Sequence, residues 1–297
     1  MKKELLLDGA VGTVLEGNEY RGKEGIWTAR AALERPGLLN QIHRDYVAAG
    51  ADVITAHTFR TSPYAFTQAG YTPDQAWEAL TAAVQVAQSA ARESTKKILV
   101  AGSIAPLEDC YRPDAVPGAA ILEEFHSLQL EWLQRSGVDL ILAETINNLK
   151  EALTIIRISN RLNLRLWLSL LPGPDSDFKD LESLSNAIRA LQSHSVDTIL
   201  LNCRPAVEMK EWVRAFAGIS KPWGVYANGP GCPDAACGWD PQGLPFEANF
   251  IDPLCDIRAM GASVIGGCCG STPEMIRALK EKLAVPMHGV NNIPVES

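Results

Sequence analysis

Apolar positions along this chain alternate between two patterns. Short, nearly unbroken apolar runs occur at residues 5–7, 52–55, 98–102, 138–143, 166–170, 196–201, 223–227 and 262–265. Each is short and bounded by glycine, proline or polar residues, as a strand buried on both faces requires. Between the runs, apolar residues recur with a helical period. One such stripe is Leu39, Ile42, Tyr46 and Ala49, closed by Gly50, and another is Trp77, Leu80, Val84, Ala87 and Ala91. A third is predicted on Ile121, Phe125, Leu128 and Trp132. Further helices are expected through Leu149, Leu153 and Ile156, over 181–192, 206–217 and 251–260, and from Pro273 to about Leu283.

Apolar strands separated by helices specify a parallel sheet. Eight such units predict a (β/α)8 TIM-type barrel, allowing for distortion, with a doubly wound open sheet as the alternative. No linker divides the 297 residues, so one barrel domain is expected over 1–297, with residues 288–297 as a loose tail. The loop at 229–249 is rich in glycine and proline and is expected to be irregular.

Composition narrows the class. Hydrophobic residues make up 46% of the chain, enough for a large core. A net charge of -8 argues against nucleic acid or an anionic membrane as partner. The first eight residues hold too short an apolar run for a signal peptide, and no membrane-length run follows. Seven cysteines, an odd number, suit a reducing compartment, so a cytoplasmic location is expected.

In a (β/α)8 barrel the chemistry lies at the carboxyl ends of the strands. Those ends carry Asp8, Thr58, Ser103, Glu144, Asn202, Cys203, Asn228, Cys268 and Cys269. For the adjacent Cys268 and Cys269 to face one point the backbone must bend, which Gly267 and Gly270 permit. A helix start follows, with Ser271 three residues before Glu274 as a capping box. Three thiolates around Zn²⁺ leave a fourth position open. So anionic a site is a poor Lewis acid for hydrolysis but suits a soft thiol, which it would hold as a nucleophilic thiolate.

The chain resembles the homocysteine S-methyltransferase family over nearly its whole length. The likeness rests on Leu7-Asp8-Gly9-Ala10-Val11-Gly12-Thr13 and on Gly50-Ala51-Asp52-Val53-Ile54-Thr55 with Thr58. It continues through Gly137 to Thr145, Leu201-Asn202-Cys203 and Gly266-Gly267-Cys268-Cys269-Gly270. The resemblance implies that Cys203, Cys268 and Cys269 bind zinc and that Asp8 and Glu144 hold the ammonium of homocysteine. It implies further that the Gly9 and Ala10 amides meet the substrate carboxylate and that Asn202 orients the Cys203 loop. Zinc-bound homocysteine would then attack an activated methyl, giving methionine. Two features depart from the family. His57 stands where an asparagine is usual, and the loops at 106–117 and 228–249 differ. These loops should face the methyl donor. A sulfonium such as S-methylmethionine suits this anionic site best, and the chain lacks the extra domains of folate- and cobalamin-dependent enzymes. His57, Thr58, Ser103 and Asn228 are further pocket candidates.

Two other classes compete. A cysteine-nucleophile hydrolase would use Cys203 or Cys269 with His57. A non-enzymatic barrel would bind zinc and a small thiol without turnover; a methyltransferase for another small thiol is a third variant. Cys232 and Cys237 are read as structural rather than as a second metal or redox pair, and Cys110 and Cys255 as packing residues. Trp223 and Trp239 are candidates to stack on a cationic donor, with packing as the alternative. The composition does not indicate an oligomeric state.

Overall fold

The computed structural model describes residues 4–284, so the tail expected at 288–297 lies outside the described residues. Seven strands are β1 (Leu5–Leu6), β2 (Val53–Ala56), β3 (Leu99–Ile104), β4 (Leu140–Ile146), β5 (Leu166–Leu170), β6 (Thr198–Pro205) and β7 (Trp223–Asn228). A hairpin follows, β8 (Cys232–Asp234) and β9 (Gly238–Asp240), and then β10 (Val264–Gly267). Apart from the hairpin, the strands are parallel in the order β1-β10-β7-β6-β5-β4-β3-β2. A parallel bridge from Leu7 to Val53 closes the ring. The Asp8 amide donates to Val53 O at 3.0 Å and the Asp52 amide to Leu6 O at 2.7 Å. This closure gives the eight-stranded barrel and removes the open-sheet alternative.

Packing explains the apolar runs. Leu7, Val53, Leu140, Leu142, Trp167 and Tyr226 fill the inside of the barrel, while Ile141, Ala143, Ile199 and Leu201 face the helices. Both faces of each strand are therefore buried. Six strands run past their expected ends, furthest in β4, which reaches Ile146, and β6, which reaches Pro205. Ser103, Glu144, Asn202, Cys203 and Asn228 are thus inside strands, whereas Asp8, Thr58, Cys268 and Cys269 follow theirs.

Three local expectations change. On the helix Ala119–Arg135 the buried face is Leu122, His126, Gln129, Leu130, Trp132 and Leu133; of the expected stripe Trp132 is buried, while Ile121 is exposed. His126 and Gln129 point inward because each has a polar partner there: Glu151 at 2.8 Å and Thr58 O at 3.4 Å. The loop at 229–249 contains the β8–β9 hairpin and leads into a π-helical turn, Glu247–Ile251, ahead of the helix Asp252–Ala259. Before the helix Pro273–Ala284, Thr272 Oγ1 accepts the Met275 amide at 3.4 Å, so Thr272 rather than Ser271 begins the helix. Ser271 is occupied in the turn that carries the cysteines. Among the described residues, no helix is long and apolar enough to cross a membrane.

Glu151 lies outside the candidate site yet supports it. The fully buried Glu151 carboxyl meets His126 Nε2 at 2.8 Å and accepts the Leu107 amide at 2.9 Å. It thereby ties the loop after β3 to two helices. Glu151→Ala strands both partners in the core, and urea unfolding should register a loss of about 3 kcal/mol or more.

Candidate active site

Backbone distortions at the strand ends aim the site residues. Along β6, Leu200 and Asn202 face inward, so Cys203 would ordinarily face the helices. Instead Cys203 adopts a left-handed φ of 62°, beside a register shift between Asn202 and Pro205. Thr145 on β4 does the same at 55°, within a shift between Ala143 and Ile146. Non-glycine residues in this region are strained and gather at functional sites. The bend expected at Cys268–Cys269 is present, with Gly270 at a φ of 71°. Gly267 contributes space rather than dihedral freedom, since a Cβ there would lie 2.2 Å from Ser271 Oγ.

The result is convergence. The sulfurs of Cys203, Cys268 and Cys269 lie within 4.8 Å of one another, with Cys203 and Cys269 at 3.9 Å. Sulfurs at about 2.3 Å from a tetrahedral zinc would stand about 3.8 Å apart, so the trio fits that ion. Hydrogen bonds from Cys268 and Cys269 push the Cys203 thiol well below its usual range, while their own thiols are raised. Asn202 supports the trio: its Oδ1 accepts the Thr145 amide at 3.1 Å and Ser169 Oγ at 2.7 Å, and its Nδ2 faces Cys268 Sγ at 3.7 Å.

A cavity of about 230 Å³ opens beside the sulfurs, with Asp8, Ser103 and Glu144 in its wall. Asp8 accepts the Thr55 amide at 2.7 Å and Thr55 Oγ1 at 2.9 Å. Glu144 accepts Ser103 Oγ and, at 3.3 Å, the Tyr226 hydroxyl. Burial raises both acids to about 7, and the charge of Asp8 adds to the shift at Glu144. Asp8, buried, and Glu144, half-buried, have no cation beside them among the described residues and are poised for a cationic ligand.

Several expected residues are placed differently. Gly9 and Ala10 line the cavity, but the Ala10 amide is engaged by Ser271 Oγ at 3.1 Å. The Gly9 amide has no hydrogen-bond partner among the described residues. His57 is in the wall, yet its Nε2 meets Thr28 Oγ1 at 2.9 Å and Thr28 O at 3.1 Å. Burial lowers it to about 4, so it is neutral at physiological pH and bonds no cysteine among the described residues. The hydrolase alternative thereby loses its base.

Thr58 is outside the cavity wall. Its amide bonds back to Ala56 O at 2.6 Å, and that tight turn sends its hydroxyl to Ser103 O at 2.8 Å. Asn228 is also outside; it pairs with Pro205 at the strand end, and Tyr226, two residues earlier on the inward face, lines the cavity instead. Trp223 stacks on Phe216, and Trp239 donates to Pro230 O at 2.7 Å, so both are packing residues.

Besides strand residues such as Thr55, Thr145 and Tyr226, the wall takes in four loop residues not proposed for it from the sequence: Trp27, Phe59, Cys110 and Tyr111. Trp27 has a φ of 47°, and its indole donates to Glu16 Oε1 at 2.8 Å. Its ring rests on Gly12, where a Cβ would come within 1.8 Å of it. Burial pushes the Cys110 thiol up to about 12, keeping it neutral. All four sit in aperiodic segments, and only the glycines around Trp27 hint at close packing.

The family model for homocysteine S-methyltransferase matches residues 5–283. The homocysteine S-methyltransferase of Escherichia coli (strain K12) is 29% identical, covering 94% of each chain. A selenocysteine Se-methyltransferase of Brassica oleracea var. italica is 27% identical over 94% of this chain and 88% of its own. The crystal structure of the E. coli homocysteine methyltransferase MmuM in its metallated form superposes with a TM-score of 0.80 at 27% identity, covering 95% and 96% of the two chains.

The raised acids carry a stability consequence. Their folded values of about 7 exceed the unfolded ones, so ionising them costs stability as pH rises from about 4 to 7, and the full cost stands above 7. Asp8→Asn or Glu144→Gln should raise the melting point of the ligand-free protein at pH 8, by roughly 1–3 kcal/mol in stability, and gain little at pH 4.5. Scans at the two pH values check this.

Proposed function

Because the chain belongs to the homocysteine S-methyltransferase family and is an S-methyltransferase, we propose that it transfers a methyl group from a sulfonium donor such as S-methylmethionine to homocysteine, in a zinc-dependent reaction that yields methionine. The observation that carries this reading is the convergence of three sulfurs and two acids on one cavity. Cys203, Cys268 and Cys269 would hold Zn²⁺, which when bound supplies a substrate sulfur that is a thiolate at neutral pH.

The protein's own groups do the rest. Asp8 and Glu144, fixed by Thr55, Ser103 and Tyr226, take the ammonium of homocysteine and give up their own protons to do so. The unpaired Gly9 amide is the donor offered to the carboxylate. Anchored at both ends, the amino acid presents its sulfur toward the cysteines without a search of orientations. Trp27 and Phe59 line the same cavity and offer aromatic faces to a cationic donor. In the transfer, the donor's carbon–sulfur bond breaks with its electron pair staying on that sulfur. The pair on the acceptor sulfur forms the new bond. The donor's sulfur loses its positive charge on becoming a thioether, so the anionic sulfurs no longer hold it, which assists its release.

The zinc-loaded protein should form two methionines per S-methylmethionine consumed, and none once the metal is chelated. Cys268→Ala should lose both stoichiometric zinc and methionine formation; full zinc and full activity in that variant would sink the assignment. Trp27→Ala should raise KM for the sulfonium by about 3- to 30-fold with little change for homocysteine. Running betaine and methyl-folate as alternative donors, and a selenol and other small thiols as acceptors, identifies each partner by product. Tight homocysteine binding without turnover on any donor would leave the non-enzymatic barrel.

A further inference from the structure

A site of this kind holds four sulfurs around one electrophilic methyl group, and three of them belong to the protein. Methylation of a cysteine would convert it to a neutral thioether, with the donor's carbon–sulfur bond breaking and its pair leaving on the donor sulfur. The site would then lose a charged ligand at the first error. Something must make the protein's sulfurs poorer nucleophiles than the substrate's.

The Tyr111 hydroxyl lies 3.1 Å from Cys203 Sγ. Once Cys203 is a thiolate its sulfur has no proton, so the phenol donates and occupies a lone pair. A hydrogen bond to a thiolate lowers its nucleophilicity. Asn202 makes the parallel contact to Cys268 Sγ at 3.7 Å. Its orientation is determined, because Oδ1 must accept from the Thr145 amide, which leaves Nδ2 for the sulfur. Among the described residues, Cys269 Sγ has no hydrogen bond except that to Cys203.

Tyr111 is 43% exposed, yet its position is not that of a loose side chain. Asn147 Nδ2 donates to Cys110 O at 2.8 Å, and Arg60 to Glu108 O at 3.0 Å. Leu107 is held by the buried Glu151, and the Tyr111 amide donates to Asp109 Oδ1 at 2.9 Å. These anchors on Leu107, Glu108 and Cys110, together with the bond from its own amide, deliver the hydroxyl to the sulfur. The ring reaches Cys203 from the loop after β3, which also supplies Cys110 to the cavity wall.

We infer that Tyr111 is a positioning residue for nucleophile selection: its hydroxyl quenches the Cys203 thiolate, so that the methyl group goes to the substrate's sulfur and not to the enzyme's own. This rests on the metal-thiolate reading above, and it is tested without a turnover assay. Zinc-loaded wild type and Tyr111→Phe are exposed to iodomethane, which needs no donor subsite. Methylation of each cysteine is followed by peptide mass spectrometry, together with zinc content. Cys203 should be methylated about 3- to 10-fold faster in the variant, with the rate at Cys269 unchanged at matched zinc occupancy. An unchanged Cys203 rate overturns the inference. So does a parallel rise at all three cysteines with loss of zinc, which would reduce Tyr111 to a structural prop. Wild-type protein that takes up no zinc would fail the metal reading instead, a result visible in the metal content alone.

Discussion

The amide of Asn202 is the interaction on which the rest of the site depends. One buried side chain binds the backbone of β4 at Thr145, the hydroxyl of Ser169 on β5 and the sulfur of Cys268 beyond β10, while itself belonging to β6. Of the strands it joins, β4 and β6 carry the register shifts, and each shift contains a left-handed residue. Such residues persist only where their surroundings over-determine them. Asn202 is part of that determination, since its Oδ1 takes up the amide of strained Thr145. The distortion in turn lets Cys203, next in sequence to an inward-facing residue, also face inward.

Around that link the site balances charge by withholding it. Bonds from its two fellow cysteines push the Cys203 thiol down, and Asp8 and Glu144 hold their protons near neutrality because burial penalises the anion. Without ligands the pocket is therefore far less anionic than its residue types suggest. Cations entering it release those protons, so affinity for an ammonium or a metal ion is linked to pH through groups already in place.

Much of this was legible in the sequence. Eight apolar runs specified the barrel because both faces of every strand are buried, and the carboxyl-end rule brought Asp8, Glu144, Asn202 and the three cysteines to one mouth. What stayed hidden depends on long-range polar pairing. The inward turn of His126 and Gln129 follows from partners on other elements, and a hydropathy stripe assigns such residues to solvent. Trp27 and Tyr111 lie in segments with no period, placed by Gly12, Glu16, Asn147 and Arg60 across the fold. Thr58 and Asn228 were misplaced because a position near a strand end says nothing of the turn that follows it.

Closure of the ring between β1 and β2 has a consequence for how the protein is made. Asp8, just past the first strand, meets the end of β10, and Ala10 the turn after it: the Gly267 amide donates to Asp8 O at 2.9 Å, and the Ala10 amide reaches Ser271 across 261 positions. A ribosome-bound chain that has emerged through β7 carries one thiol of the trio, and the partners that fix Asp8 on that side have not yet been synthesised. Contacts so distant in sequence form late. The nascent chain thus has no complete sulfur trio with which to sequester metal, and competence arrives in one step, when the last strand seats between the first and the seventh.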